Sequence, residues 1–357
     1  MNLDDLLIHA GSKVHIKAPA KLKETLQDYC FDGADFLQIL TDFDRTLTKH
    51  SSNGIVTPST HAVLENSGLF SDEYRDKATV LRDKYYPLEM DPTIDREKKE
   101  KLMVEWWSEG HRLLLLEKIK KTEVQCAVRE SRMEFRKGFE RFRRVLCAHE
   151  VPTLVFSAGI GTIVKEVFLQ KSSHRLESLQ IVSNFLHFNE QGITVGFEGP
   201  LIHTFNKGRF SHLNKEYFAR TAKRKNVILL GDTLGDVEMG NNLDESKFNV
   251  LKIGFLNDKV EQNRAFYLKV YDIVIEDPEN MEYVFELICA ILNVGEDEKS
   301  RLNESFSIPS ESSPKTVVDL SSRALTCPSA VDAEEHGNIV GNVTVSPAGS
   351  LVLSSAQ

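Results

Sequence analysis

Cysteine is scarce and scattered in this sequence. Cys30, Cys126, Cys147, Cys289 and Cys327 are odd in number and far apart, with no C-x-x-C pair among them. That excludes a disulfide framework and the usual zinc spacings, and leaves reduced thiols. Long apolar runs are missing as well, since none approaches the roughly 18 residues that a membrane span requires. The opening string MNLDDLLIHAGSK carries acids where a secretory signal carries bases, so a cytoplasmic protein without a membrane partner is expected. Nor is there a basic surplus: 44 Lys and Arg stand against 53 Asp and Glu, a formal charge of −9. Binding to a nucleic-acid polymer, which relies on such a surplus, is therefore not expected. Any phosphate must be held by a local site.

What is present is enough for a core. The 357 residues are 41% hydrophobic, and at roughly 150 residues per domain they allow about two units. Residues 300–357 differ from the rest, with thirteen serines, four prolines and Phe306 as the sole aromatic. Such a composition buries too little apolar surface to offset its ordering entropy, so 296–357 is expected to be a disordered tail. Upstream, apolar runs at 36–40, 153–156, 179–182, 227–230, 250–253 and 273–275 alternate with helical patterns at 162–170, 212–222 and 259–269. This predicts an α/β fold with a Rossmann-like, mostly parallel sheet. Between 44 and 152 strand signals nearly vanish, and amphipathic runs at 95–121 and 123–148 suggest a helical insertion after the first strand. Ligands bind at the carboxyl ends of strands in such sheets, so the insertion is placed as a lid. The expected division is a catalytic core at 1–48 and 149–295 with a helical cap at 49–148.

Four stations carry chemistry. The first strand runs into Thr41-Asp42-Phe43-Asp44-Arg45-Thr46, with carboxylates at i and i+2; alone, a D-x-D of this kind is most simply an acidic turn. Phe156-Ser157-Ala158-Gly159 ends another strand and opens a helix, offering a hydroxyl and backbone amides to an anion. Lys207 stands beside Gly208 in a short loop. Leu230-Gly231-Asp232-Thr233-Leu234-Gly235-Asp236 ends a further strand in two acids separated by glycines.

In this order the stations resemble the haloacid dehalogenase-like phosphatases. The resemblance implies Asp42 as nucleophile forming an aspartyl-phosphate, and Asp44 as general acid and base. It also implies Mg²⁺ held by Asp42, the backbone carbonyl of Asp44, and Asp232. Ser157, Ala158 and Lys207 would bind phosphate, with Asp236 supporting Lys207 or a metal-bound water. Arg45 is expected to face solvent or a lid carboxylate and is not counted as catalytic.

The strings Tyr85-Tyr86-Pro87-Leu88-Glu89, Met103-Val104-Glu105-Trp106-Trp107, Val182-Ser183-Asn184-Phe185 and Lys252-Ile253-Gly254-Phe255-Leu256-Asn257-Asp258 narrow the likeness. With them the chain resembles the cytosolic 5′-nucleotidase III, or pyrimidine 5′-nucleotidase, family over about residues 15–293. The resemblance implies a base pocket in the cap at Glu89, Trp107 and Gly110. The Glu-Trp-Trp string resembles the subtype that accepts 7-methylguanosine monophosphate besides pyrimidine nucleotides such as CMP. N7-methylated guanine is a cation, which a Trp face attracts by about 0.5–2 kcal/mol. Only one of Trp106 and Trp107 can face a pocket, because successive helical residues point apart; the plainer alternative is that both pack the lid against the body. A monomer acting on a small nucleotide is expected. A phosphotransferase, or a phosphomonoesterase for another small ester, would share the same residues.

Overall fold

The computed structural model describes residues 6, 13–91, 93–172, 179–210, 215–241, 243 and 246–304. An eight-stranded sheet forms its centre: β1 (Val14–Ile16), β2 (Leu37–Thr41), β5 (Thr153–Ile160), β6 (Leu179–Phe188), β7 (Thr194–Glu198), β8 (Asn226–Gly231), β9 (Asn249–Phe255) and β10 (Ile273–Ile275). They lie in the order β1-β10-β9-β8-β2-β5-β6-β7, while β3 (Ser51–Ser52) and β4 (Ile55–Val56) make a separate hairpin. From β10 to β6 every pairing is parallel, and only β1 and β7 join antiparallel at the edges. The fold is thus α/β with a mostly parallel sheet. Both faces are covered by helices, so β2 and β8 are buried at every residue and read as continuous apolar runs.

Register brings the motifs together. Thr41 of β2 pairs with Leu230 of β8 on one side and with Val155 of β5 on the other. Asp42, the Ser157 turn and Asp232 therefore leave the sheet at one level on adjacent strands. β5 carries a register shift between Phe156 and Ile160, so the Ser157–Gly159 backbone departs from the ladder just before the helix Gly161–Lys171 begins.

Between β2 and β5 the chain forms five helices, Thr60–Glu65, Asp72–Met90, Arg96–Leu116, Lys121–Glu130 and Phe139–Ala148. Ser71 and Asp95 cap the two long ones by accepting from the amides of Tyr74 and Lys98. Those two pack on each other. Lys121–Glu130 lies on Gly161–Lys171, and Phe139–Ala148 lies on Glu282–Ile291.

Three expectations need correction. The amphipathic run at 123–148 is broken into two helices: Gly138 takes φ 86°, and Arg136 is drawn inward, donating to the carbonyls of Thr46, Arg45 and Asp277. The insertion contains the β3–β4 hairpin, too short to give an apolar pattern. The tail does not start at 296, for Glu296–Glu304 is a helix held to the body by Lys299–Glu286 at 2.7 Å and His149–Glu298 at 3.1 Å. Residues 305–357 lie outside the described residues, as do 212–214 of the helix expected at 212–222, which is described as Lys215–Thr221.

Candidate active site

The turn after β2 is wound around one carbonyl. The amides of Thr46, Leu47 and Thr48 all donate to Phe43 O, and Phe43 itself is buried against Phe135 and Phe168. With Phe43 turned into the core, Asp42 reaches Lys207 and Asp44 reaches Thr60. Arg45 adopts φ 62°. Its carbonyl accepts from Arg136 at 2.5 Å and from Asn257 at 3.1 Å, and its amide donates to Thr48 Oγ1 at 2.8 Å. These contacts hold a backbone conformation that is costly for a residue other than glycine.

Lys207 is the hub. Its ammonium donates to Asp42 Oδ1 at 2.5 Å and to Asp236 Oδ1 at 2.7 Å, and all three side chains are buried. The second oxygen of Asp236 accepts from the Asp232 amide at 3.1 Å and from the amide and hydroxyl of Thr233, both at 2.9 Å. Asp236 therefore shapes the Asp232 turn while anchoring Lys207. Gly231 permits this approach, because a Cβ there would stand 2.4 Å from Asp236 Cβ. Asp232 lies beside them, its Oδ2 3.5 Å from Asn257 Nδ2, and one carboxylate oxygen from each of Asp42, Asp232 and Asp236 falls within 4.8 Å of the others.

Charge in this cluster is out of balance. Burial pushes the Asp42 carboxyl up to about 7, against the pull of Lys207. Asp232 is driven well above the usual carboxylate range by burial and by the neighbouring Asp42 and Asp236. Asp44 is raised by burial, with Thr60 opposing. Burial alone would lower Lys207, but Asp236 and Asp42 outweigh it and raise it. One lysine does not neutralise this many buried acids, and the site is built to take up protons or a cation.

The Ser157 turn is fixed from three sides. Ser157 Oγ accepts from the Gly159 amide at 3.0 Å. Ser183 Oγ donates to Gly159 O at 3.0 Å. Asn184 donates to Ala158 O at 2.9 Å and to Ile202 O at 2.8 Å, and accepts from the Ile202 amide at 2.9 Å. Asn184 thereby ties the turn to the segment leading to Lys207.

The two long helices contribute from above. Trp107 Nε1 donates to Ala158 O at 2.9 Å and its ring lies 6.3 Å from that of His203, whereas Trp106 stacks on Tyr85 at 5.9 Å. The two indoles touch edge to face, 5.0 Å apart, but Trp107 reaches the strand end while Trp106 packs on the helix Asp72–Met90. Glu89 Oε1 accepts from Thr204 Oγ1 at 2.7 Å, and its carbonyl accepts from Lys99 at 2.7 Å. Burial raises Glu89, with Thr204, Lys99 and, more weakly, Arg45 opposing. Arg45 also favours the ionised forms of Asp44 and Asp232. Gly110 faces open space, since a Cβ there would meet nothing within 4 Å. Arg96 joins the lid to the core, with Nη2 2.6 Å from Glu238 Oε2.

Asp42, Asp44, Ser157, Ala158, Lys207, Asp232 and Asp236 are therefore brought to one end of the sheet, with Glu89 and Trp107 reaching down to it from the lid. Thr60, Thr204 and Arg136 were not identified from the sequence. None carries a motif, and each acquires its partners only through folding.

The family model for pyrimidine 5′-nucleotidases (UMPH-1) matches residues 45–292. The 7-methylguanosine phosphate-specific 5′-nucleotidase of Homo sapiens is 42% identical over 284 residues, covering 79% of this chain and 93% of the relative. The protein of the same name from Drosophila melanogaster is 31% identical over 294 residues, covering 82% and 91%. A crystal structure of cytosolic 5′-nucleotidase IIIB bound to cytidine matches with a TM-score of 0.73 and 29% identity, over 85% of this chain and 100% of that one.

Proposed function

The chain belongs to the pyrimidine 5′-nucleotidase family, and from that premise we propose that it is a Mg²⁺-dependent 5′-nucleotidase. It hydrolyses 7-methylguanosine monophosphate and pyrimidine nucleotides such as CMP to nucleoside and phosphate. The observation that carries this reading is the Lys207 ammonium bound to Asp42 and Asp236 with Asp232 beside them.

The donors fit Mg²⁺. They are hard carboxylate oxygens carrying uncompensated charge, with no His or Cys in the described cluster. Asp42, Asp232 and the Asp44 carbonyl would hold the ion, which when bound offsets the repulsion between the Asp42 carboxylate and the phosphate dianion. Asp236 is left to orient Lys207 and the Asp232 turn, as both its oxygens are already engaged.

Lys207, Ser157 and the Ala158 amide hold the phosphate oxygens, a preorganised charge arrangement of the kind that dominates phosphoryl transfer. The Asp42 carboxylate attacks phosphorus and the bond to the 5′-oxygen breaks, giving an aspartyl-phosphate. Asp44 gives its proton to the departing 5′-oxygen and later takes one from the water that hydrolyses the intermediate. Its raised proton affinity suits that double duty.

The helices Asp72–Met90 and Arg96–Leu116 form the lid that supplies the base pocket. Trp107 offers a ring face to a cationic N7-methylguanine or a pyrimidine, and Gly110 leaves room beside it. Glu89, oriented by Thr204, accepts from the guanine N1–H and amine or from the cytosine amine. Among the described residues no helix is long and apolar enough to cross a membrane, and the reading is of a cytosolic monomer acting on a diffusible nucleotide.

Phosphate release from CMP with Mg²⁺ tests it. EDTA and Asp42→Asn are each expected to reduce turnover to background while far-UV circular dichroism is unchanged. Turnover at wild-type rate in either case contradicts the scheme.

A further inference from the structure

Thr60 is the first residue of the helix Thr60–Glu65, and it is 0% exposed. Its amide donates to Asp44 Oδ1 at 2.9 Å and its hydroxyl to Asp44 Oδ2 at 2.8 Å. One residue therefore grips both oxygens of the carboxylate. The hydroxyl has no freedom to turn elsewhere, because it accepts from the Ile160 amide at 3.2 Å and its single hydrogen is left to Asp44. Gly159 shows how tight the junction is: a Cβ there would stand 2.1 Å from Thr60 Oγ1 and 2.9 Å from Asp44 Oδ2.

We propose that Thr60 is a positioning residue for proton transfer: it locks the rotation of the Asp44 carboxyl group and ties that group to the end of the Ser157 turn. The inference rests on the assignment of Asp44 as the acid that protonates the leaving 5′-oxygen. With each carboxyl oxygen occupied on one side by Thr60, the transferable proton sits on the side facing the substrate. It moves to the 5′-oxygen as the P–O bond breaks, and the Asp44 carboxylate regains a proton from the hydrolytic water. Proton transfer from a held group is worth about 10²–10⁴-fold, and it matters most for a poor leaving group. A nucleoside alkoxide needs that proton; a p-nitrophenolate departs without it.

The test is a comparison of kcat/KM for Thr60→Val on CMP and on p-nitrophenyl phosphate, with Thr60→Ser as the conservative control. Val keeps the shape and the amide but loses the hydroxyl. The ratio of kcat/KM on CMP to kcat/KM on p-nitrophenyl phosphate, which reads only the steps up to the aspartyl-phosphate and not the hydrolysis common to both esters, is expected to fall at least about tenfold in Thr60→Val and to recover in Thr60→Ser. Equal losses on both esters, as from a misfolded or merely loosened site, would overturn the proposal, and so would no loss on either. If the wild type cleaves some other alkyl phosphate and not CMP, the nucleotidase reading fails, while the same ratio taken with that alkyl ester still decides the role of Thr60.

Discussion

At the residue scale the site is a problem in charge. Asp42, Asp44, Asp232 and Asp236 gather where only Asp42 and Asp236 meet the Lys207 ammonium, and their types and spacings were all visible as short motifs at strand ends. What the motifs did not reveal is the support: Thr60, Asn184, Asn257 and Arg136 are ordinary polar residues whose partners lie from 16 positions away, as for Thr60 and Asp44, to 212, as for Asn257 and Arg45. No local pattern encodes such distances. The imbalance has a consequence for stability without metal. The Asp42 carboxyl titrates near 7 in the folded protein against about 4 when unfolded. The folded state therefore binds the extra proton within that window, and Asp42 weakens the fold as pH rises through it. In EDTA, the melting temperature of wild type minus that of Asp42→Asn is expected to fall as pH goes from about 5 to about 8. A gap that is constant or widens in favour of the wild type would contradict the charge assignment.

At the element scale, the parallel sheet was legible because strands buried on both faces must be apolar throughout, as β2 and β8 are. Edge strands β1 and β7 escaped notice, being short or only partly buried. The helices between β2 and β5 were legible as amphipathic runs, but their division was not. Gly138 and the inward turn of Arg136 break a pattern that periodicity alone would carry through. The helix Glu296–Glu304 was hidden by its charge and is held by ion pairs to residues far back in the chain. The helix Arg96–Leu116 meets the core through polar contacts that include Arg96 with Glu238 and Trp107 with the Ala158 carbonyl. Arg96 is half exposed, and pairs of that kind contribute about 0.2–1 kcal/mol. Arg96→Met is accordingly expected to raise KM for CMP by about twofold to fivefold with a smaller effect on kcat. A loss confined to kcat would place Arg96 in the chemistry instead of in the lid contact.

For the whole molecule, the absence of a basic surplus takes on a different meaning once the site is assembled. On the proposed reading, phosphate binding needs no positive surface, because Lys207, the Ser157 turn and a carboxylate cluster suited to Mg²⁺ would suffice. Fold and acid cluster agree with membership of the 5′-nucleotidase family, and the proposed reading puts the phosphate at the strand ends and the base against Glu89 and Trp107. Steady-state phosphate release with Mg²⁺ across 7-methyl-GMP, CMP, UMP, GMP, AMP and glycerol phosphate tests that claim most directly. The account predicts kcat/KM for 7-methyl-GMP and CMP at least about tenfold above AMP and glycerol phosphate, a preference of about 1.4 kcal/mol. Equal kcat/KM on all six, or activity on glycerol phosphate alone, would contradict it.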